Sequence, residues 1–274
     1  MSVQKIIEKL CAELEAVPNI VGIVLGGSRA RGIHEHDSEI DIGIYYENSL
    51  DIEALNKIAT KLDDENRENL ITQIGEWGEW INGGGWLVID GYHVDFIFRD
   101  INKVAEVMEE CMKGMVTTHY HTGHPHAYLN MMYMGEISIC KILFEKNNRI
   151  SVLQAKTNPY PKALKDAIIN YFLFEANFSL MFAKANVNKD DSSYVMGHCY
   201  RIISCLNHVL FAINEEYCIN EKKAVRMIDQ FAKKPVNYKE RIDQVVHFIS
   251  ADLESANQAI NILAEPISET EQLL

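Results

Sequence analysis

The sequence predicts two parts, a mixed-sheet α/β domain followed by an all-α helical bundle. Three observations carry that prediction. Residues 20–46 read as two strands joined through a glycine turn. Residues 86–98 read as a hairpin. Beyond residue 157 the strand signals stop, and apolar residues recur at alternating steps of four and three. The change of character falls in TNPYPKA, so the expected domains are 1–157 and 158–274. With 47 % hydrophobic residues in a chain of 274, each part has enough apolar material for its own core.

In chain order, Ile6, Ile7, Leu10 and Leu14 form one stripe of a helix over residues 2–16, ended by Pro18-Asn19. Val21, Ile23, Val24 and Leu25 then give a short apolar strand that stops at Gly26-Gly27-Ser28. The next strand alternates strictly. Ile40, Ile42 and Ile44 point one way, and Glu39, Asp41 and Gly43 the other. Two carboxylates about 7 Å apart on one face repel each other unless a cation sits between them. Oxygen ligands suit Mg²⁺, which usually takes one or two protein carboxylates plus substrate phosphate. The glycine turn offers backbone N–H groups to phosphates, Ser28 adds a hydroxyl, and Arg29 and Arg31 add positive charge. A phosphate cradle beside metal-binding carboxylates is the equipment of phosphoryl or nucleotidyl transfer.

Further on, Ile52, Leu55, Ile58, Ala59 and Leu62 outline a helix, and KLDDENREN reads as its charged end or as a solvated loop. Residues 70–74 suit a short strand. The glycine-rich GEWGEWINGGG reads as a connection, and Trp77, Trp80 and Trp86 suit core packing, with base stacking as the alternative. Asp90-Gly91 between two alternating runs is a strong hairpin signal. In the second arm Asp95 stands between Val94 and Phe96, where a carboxylate is costly unless paired or bound to metal. Asp100 is placed to cap a helix through Val104, Val107, Met108 and Cys111, closed by Gly114. His119, His121, His124 and His126 fall in a loop shaped by Gly123 and Pro125; they either donate to phosphate oxygens or face solvent. Residues 127–144 read as a helix carrying Glu136.

In the second part, one long helix carries Leu164, Ile168, Tyr171, Phe172, Phe178 and Phe182. A second carries Val195, Cys199, Ile202, Leu206, Val209 and Ile213, with His198 and Arg201 beside the stripe. Asn237 with Glu240 reads as a capping box before Ile242, Val246, Ile249, Leu253, Ala256 and Ile260. Such stripes pack helices at shallow angles, as in a bundle, and they also suit a homodimer interface. EPISETEQLL is polar and reads as a frayed end.

The net charge of −13, with Lys and Arg clustered only at 29–31, 222–223 and 233–234, disfavours a nucleic-acid partner. An acidic cleft suits a cationic small molecule. No apolar run approaches the ~20 residues of a membrane span, and MSVQKIIEKL lacks the pattern of a signal peptide. Six scattered cysteines without a Cys-x-x-Cys pair read as reduced thiols, so a cytoplasmic location is expected.

Gly26-Gly27-Ser28-Arg29-Ala30-Arg31-Gly32 followed by Ser38-Glu39-Ile40-Asp41 resembles the signature of the nucleotidyltransferase superfamily of the DNA polymerase β type. More narrowly, it resembles small bacterial aminoglycoside and lincosamide nucleotidyltransferases. The resemblance is specific over residues 20 to about 100 and elsewhere is one of layout. It implies transfer of a nucleoside monophosphate from a nucleoside triphosphate, ATP being expected, to a hydroxyl of a small acceptor, with release of pyrophosphate. By the resemblance, Glu39, Asp41 and Asp95 hold two Mg²⁺ ions roughly 4 Å apart. Gly26, Gly27 and Ser28 seat the phosphates, and Arg29 or Arg31 balances their charge. Glu136, by rough position, deprotonates the acceptor hydroxyl. The acceptor is expected in a groove between the domains. The commoner first carboxylate is Asp, and Glu39 favours a second reading, a catalytically weak or inactive nucleotide-binding regulatory module. Protein nucleotidylation differs only in the acceptor.

Overall fold

The computed structural model describes residues 2–274. Two compact units divide the chain. One is Met1–Glu109 with Tyr133–Pro159, and the other is Glu110–Met132 with Tyr160–Leu274. The sequence suggests a single passage near residue 157. The coordinates instead put residues 110–132 with the helical unit, because Glu221 in that unit binds the backbone of His126 and Ala127.

The first unit opens with α1 (Val3–Leu14), whose Ile6, Ile7, Leu10 and Leu14 are buried as their spacing predicts. After β1 (Ile20–Leu25) comes a five-residue helix, α2 (Gly27–Arg31), then β2 (Ile40–Tyr46), α3 (Ile52–Leu62), β3 (Gly84–Ile89), β4 (Tyr92–Asp100) and α4 (Ile101–Met112). The second unit begins with the small ladder of β5 (Thr118–His119) and β6 (Tyr128–Leu129). The chain then returns through α5 (Met132–Ile139) to β7 (Lys141–Glu145) and α6 (Arg149–Ala155). The helix expected over 127–144 is thus three elements. β7 forms because LysIleLeuPheGlu can pair antiparallel to β1 along its open edge.

The five-stranded sheet has the order β3-β4-β2-β1-β7. Only β2 and β4 run parallel; the other pairs are antiparallel, so the sheet is mixed, as predicted. One face is core. Ile40, Ile42, Ile44, Val94, Phe96 and Phe98 are all fully buried on it, and removing each from water contributes about 2 kcal/mol. The opposite face of β2 and β4 carries the polar residues.

The hairpin forms as expected. Asp90 and Gly91 have φ of 52° and 78°, the left-handed pair that a tight two-residue turn needs. Residues 70–74 contribute a single bridge, Ile71 to Gly85, rather than a strand. The charged run after α3 is mostly exposed, as expected, but two of its acids are tied to the hairpin. Buried Asp63 accepts from Val88 N at 3.0 Å and from Arg67 Nη2 at 2.6 Å. Asp64 accepts from Asp90 N at 2.7 Å and Gly91 N at 2.8 Å. Two acids therefore pin the hairpin to the end of α3.

In the second unit, α7 (Lys162–Asn186), α8 (Ser192–Ile213), α9 (Ala224–Ile228), α10 (Tyr238–Phe248) and α11 (Leu253–Gln272) make the helical region. All six residues of the stripe predicted on α8 are buried. On α7, Leu164, Ile168 and Phe172 are buried, but Tyr171 and Phe178 are exposed. The last stripe is not one helix. It breaks at 249–252, where Asp252 caps α11 by accepting from Ser255 N at 2.8 Å, and Val246 and Leu253 are exposed. Asn237 lies at the start of α10 in a left-handed conformation with no side-chain capping bond, so the expected capping box does not form. The C-terminal segment is helical through Gln272, held by buried Ile267 and Thr270. Among the described residues no helix is long and apolar enough to cross a membrane, and none of the six cysteines is in a disulfide.

Candidate active site

Strand alternation puts Asp41 and Asp95 on the sheet face opposite the core, and parallel pairing sets them side by side as Cα partners. Glu39, just before β2, joins them. One carboxylate oxygen from each of Glu39, Asp41 and Asp95 lies within 4.8 Å of the others. Asp41 and Asp95 are half-buried, and Glu39 is exposed.

The glycine turn belongs to the same place. Gly26 N donates to the Asp41 carbonyl at 2.8 Å, continuing the β1–β2 ladder into the turn. Gly27 has φ of +56°, and a Cβ there would lie 1.9 Å from Asp41 Oδ2. Only glycine can hold this backbone against the carboxylate. Three converging oxygen donors beside a turn that admits no side chain fit a hard divalent cation with phosphate oxygens as its further ligands.

Arg29 has another task than the one its charge suggests. It is buried, and its guanidinium donates to the Ser38 carbonyl at 2.5 Å and the Glu39 carbonyl at 2.9 Å. Its carbon lies 5.9 Å from the Tyr92 ring centre. Arg29 thus clamps the segment that presents Glu39. Arg31 lies half-buried at the end of α2. Lys141, which no motif singled out, donates from Nζ to the Arg29 carbonyl at 3.4 Å, adding a cation beside the turn.

Glu136 is not brought to the three carboxylates. Arg99 holds it in a two-pronged ion pair, Nε to Oε2 at 2.8 Å and Nη2 to Oε1 at 2.6 Å. Arg99 and its β2 partner Tyr45 stand four residues along the strands from Asp95 and Asp41, about 13 Å at the usual rise. Burial first, then the charge of Glu136, pushes the Tyr45 phenol well above its ordinary pKa, in keeping with that position.

The four histidines lie in the second unit and have protein partners there. His119 pairs with Thr117 Oγ1 at 2.8 Å, His121 with the Thr122 carbonyl at 2.8 Å, and His124 with Glu221 at 3.2 Å. Burial lowers the pKa of His126. Near it a cavity of about 190 Å³ is lined by Tyr171, Glu175 and Arg201, the last two joined at 2.9 Å. His198 stacks on Phe182 with ring centres 5.6 Å apart.

The tryptophans divide. Trp80 is buried, as core packing predicts. Trp86 is 61 % exposed and stacks on Trp77 at 4.6 Å. It stands directly across from Asp95 in the β3–β4 register. The sequence held a signal for this: a two-residue turn at Asp90-Gly91 pairs 89 with 92 and therefore 86 with 95.

A family model described as a nucleotidyltransferase domain matches residues 3–115. No curated protein sequence matches the chain. Among solved structures, a nucleotidyltransferase-like protein from Exiguobacterium sibiricum 255-15 is similar at 8 % identity with a TM-score of 0.47, over 99 % of this chain and 78 % of that one. The matched span holds the glycine turn and all three converging carboxylates, so over residues 3–115 the chain is similar to a nucleotidyltransferase domain.

Proposed function

We propose that the protein transfers a nucleoside monophosphate, from ATP by preference, to a hydroxyl of a small molecule in a Mg²⁺-dependent reaction. An aminoglycoside-like acceptor suits the chain's net charge of −13. The observation that supports this most is the convergence of Glu39, Asp41 and Asp95 within 4.8 Å beside Gly27.

Glu39, Asp41 and Asp95 are the residues to hold the cation. When bound, it neutralises phosphate charge and lowers the pKa of an acceptor hydroxyl. Gly26, Gly27 and Ser28 receive the triphosphate, with Lys141 and Arg31 as nearby positive charge. Arg29 keeps Glu39 in place by holding its backbone carbonyl. The acceptor oxygen forms the new bond to the α-phosphorus, the bond from that phosphorus to the bridging oxygen breaks, and pyrophosphate leaves. The hydroxyl proton passes to a carboxylate of the triad, since Arg99 holds Glu136 at the far end of the face.

The test is pyrophosphate release over a panel of hydroxylated compounds with each triphosphate and Mg²⁺. Asp41→Asn is expected to reduce release at least about 1,000-fold with an unchanged circular dichroism spectrum. Release by the variant at the wild-type rate overturns the proposal. Calorimetric binding of Mg²⁺-ATP without release to any acceptor supports the regulatory-module reading that Glu39 favours.

A further inference from the structure

The geometry points to the Trp86–Trp77 stack as the platform for the acceptor, a hydroxylated compound presenting a flat ring face. This rests on the transfer reading above and adds the class of its second substrate.

One row of residues crosses the sheet. Trp86 on β3 pairs with Asp95 on β4, and Asp95 pairs with Asp41 on β2. The Asp41 carbonyl accepts from Gly26 at the head of the glycine turn. Cross-strand partners share a face, so Trp86 stands next to the carboxylates on the side away from the turn. Phosphoryl transfer places the attacking and leaving oxygens roughly in line. With the leaving pyrophosphate at Gly27 and Ser28, the attacking hydroxyl arrives from the opposite side, over Asp95, where the row continues to Trp86.

The tryptophan is built to stay there. Its neighbour Trp77 lies flush on β3 because residue 84 has no side chain. A Cβ at Gly84 would come within 2.7 Å of Trp77 Cζ3 and 1.9 Å of the Phe96 carbonyl. The two rings stack at 4.6 Å with 27° between their planes. Asp63 fixes the strand itself through Val88 N, two residues along from Trp86. A rigid indole, 61 % exposed and stacked on one neighbour, offers a stacking surface to a pyranose, cyclitol or aromatic ring. The adjoining carboxylates favour such a ring carrying amino groups, and they disfavour the phosphate-rich nucleotide on this side.

The experiment titrates the full chain with phenyl glucoside, methyl glucoside and glycerol, following binding by ligand-observed NMR in wild type, Trp86→Ala and Trp86→Phe. Mg²⁺-ATP affinity is measured by calorimetry in parallel. The two ring probes should bind the wild type and glycerol should not. Trp86→Ala should raise the dissociation constant at least tenfold, Trp86→Phe should restore most of the binding, and Mg²⁺-ATP affinity should stay within twofold. A response to phenyl glucoside alone marks the ring as aromatic; a response to both marks it as a sugar face. The inference is overturned if no ring probe binds, if Trp86→Ala binds them like wild type, or if the substitution weakens Mg²⁺-ATP instead, which would make Trp86 a nucleobase platform. Ring-probe binding does not depend on turnover. A Trp86-dependent ring site together with an Asp41→Asn variant that transfers normally would therefore sink the transfer reading and leave the ring platform standing.

Discussion

Gly27 shows how much of the site rests on one missing side chain. Its φ of +56° and the 1.9 Å approach a Cβ would make to Asp41 Oδ2 are two separate reasons for glycine. Gly27→Ala is expected to cost only about 1 kcal/mol of stability, the usual strain of a left-handed residue. Displacement of Asp41 by the methyl group should lower pyrophosphate release about 100-fold, as small misplacements at reacting centres do. Comparing the thermal midpoint with the turnover of the variant checks both numbers. The dipeptide Gly26-Gly27 was plain in the sequence. That its second glycine shields a carboxylate was not, because contact with Asp41 depends on β1 and β2 pairing in one register. Arg29 teaches the same lesson in reverse. Its charge beside a phosphate turn suggested a ligand contact, and its burial against two carbonyls makes it a brace.

Among the elements, the β3–β4 hairpin was the most legible, since Asp-Gly dictates both turn and register. What anchors it was hidden. KLDDENREN has the composition of a solvated helix end, yet Asp63 and Asp64 bind the backbone of Val88, Asp90 and Gly91. Charge alone does not show whether backbone donors will surround a carboxylate. Asp63→Ala leaves Val88 N without its acceptor and should cost about 2 kcal/mol, read as a fall in the urea midpoint. The Arg67 guanidinium holds the Asp63 carboxyl below the usual carboxylate range. Its contribution is therefore present above the unfolded-state pKa near ~3.9 and is lost as pH falls through the lower folded value. Helix breaks and edge strands were the least legible. The repeat from Ile242 to Ile260 runs smoothly through residues 249–252, and only the cap on Asp252 reveals two helices. β7 escaped notice because its pairing partner, β1, lies more than a hundred residues earlier.

At the scale of the whole molecule, a buried histidine ties stability to mild acid. His208 lies in the helical unit, stacked 4.8 Å from Phe172. Burial first, and His126 second, press its pKa down to about 3. The unfolded chain takes up this proton near pH ~6.5, whereas the folded chain does not until far lower. Between those values the unfolded state binds more protons, so stability falls as pH falls, by at most about 1.4 kcal/mol per unit. His126, also lowered, acts with the same sign, whereas Glu221, held near about 2, stays ionised over this window. The urea midpoint should drop between pH 7.5 and 5.0, and His208→Leu should shrink that drop without abolishing it. An equal drop in the variant would remove His208 as the cause.

By itself the sequence determined everything set by neighbours along the chain. Period-two alternation assigned Asp41 and Asp95 to the strand faces opposite the apolar rows, Asp90-Gly91 set Trp86 across from Asp95, and the four-three spacing chose the buried side of α8. Only the tertiary structure decided which faces meet. It paired β2 with β4 in parallel, so that Asp41 and Asp95 became partners, tied Glu136 to Arg99, and turned Arg29 inward. The physical reason is that alternation, turns and caps are energies of adjacent residues and leave a local pattern. The pairing of strands some fifty residues apart is chosen by the packing of the whole core, which leaves no periodic trace in the chain.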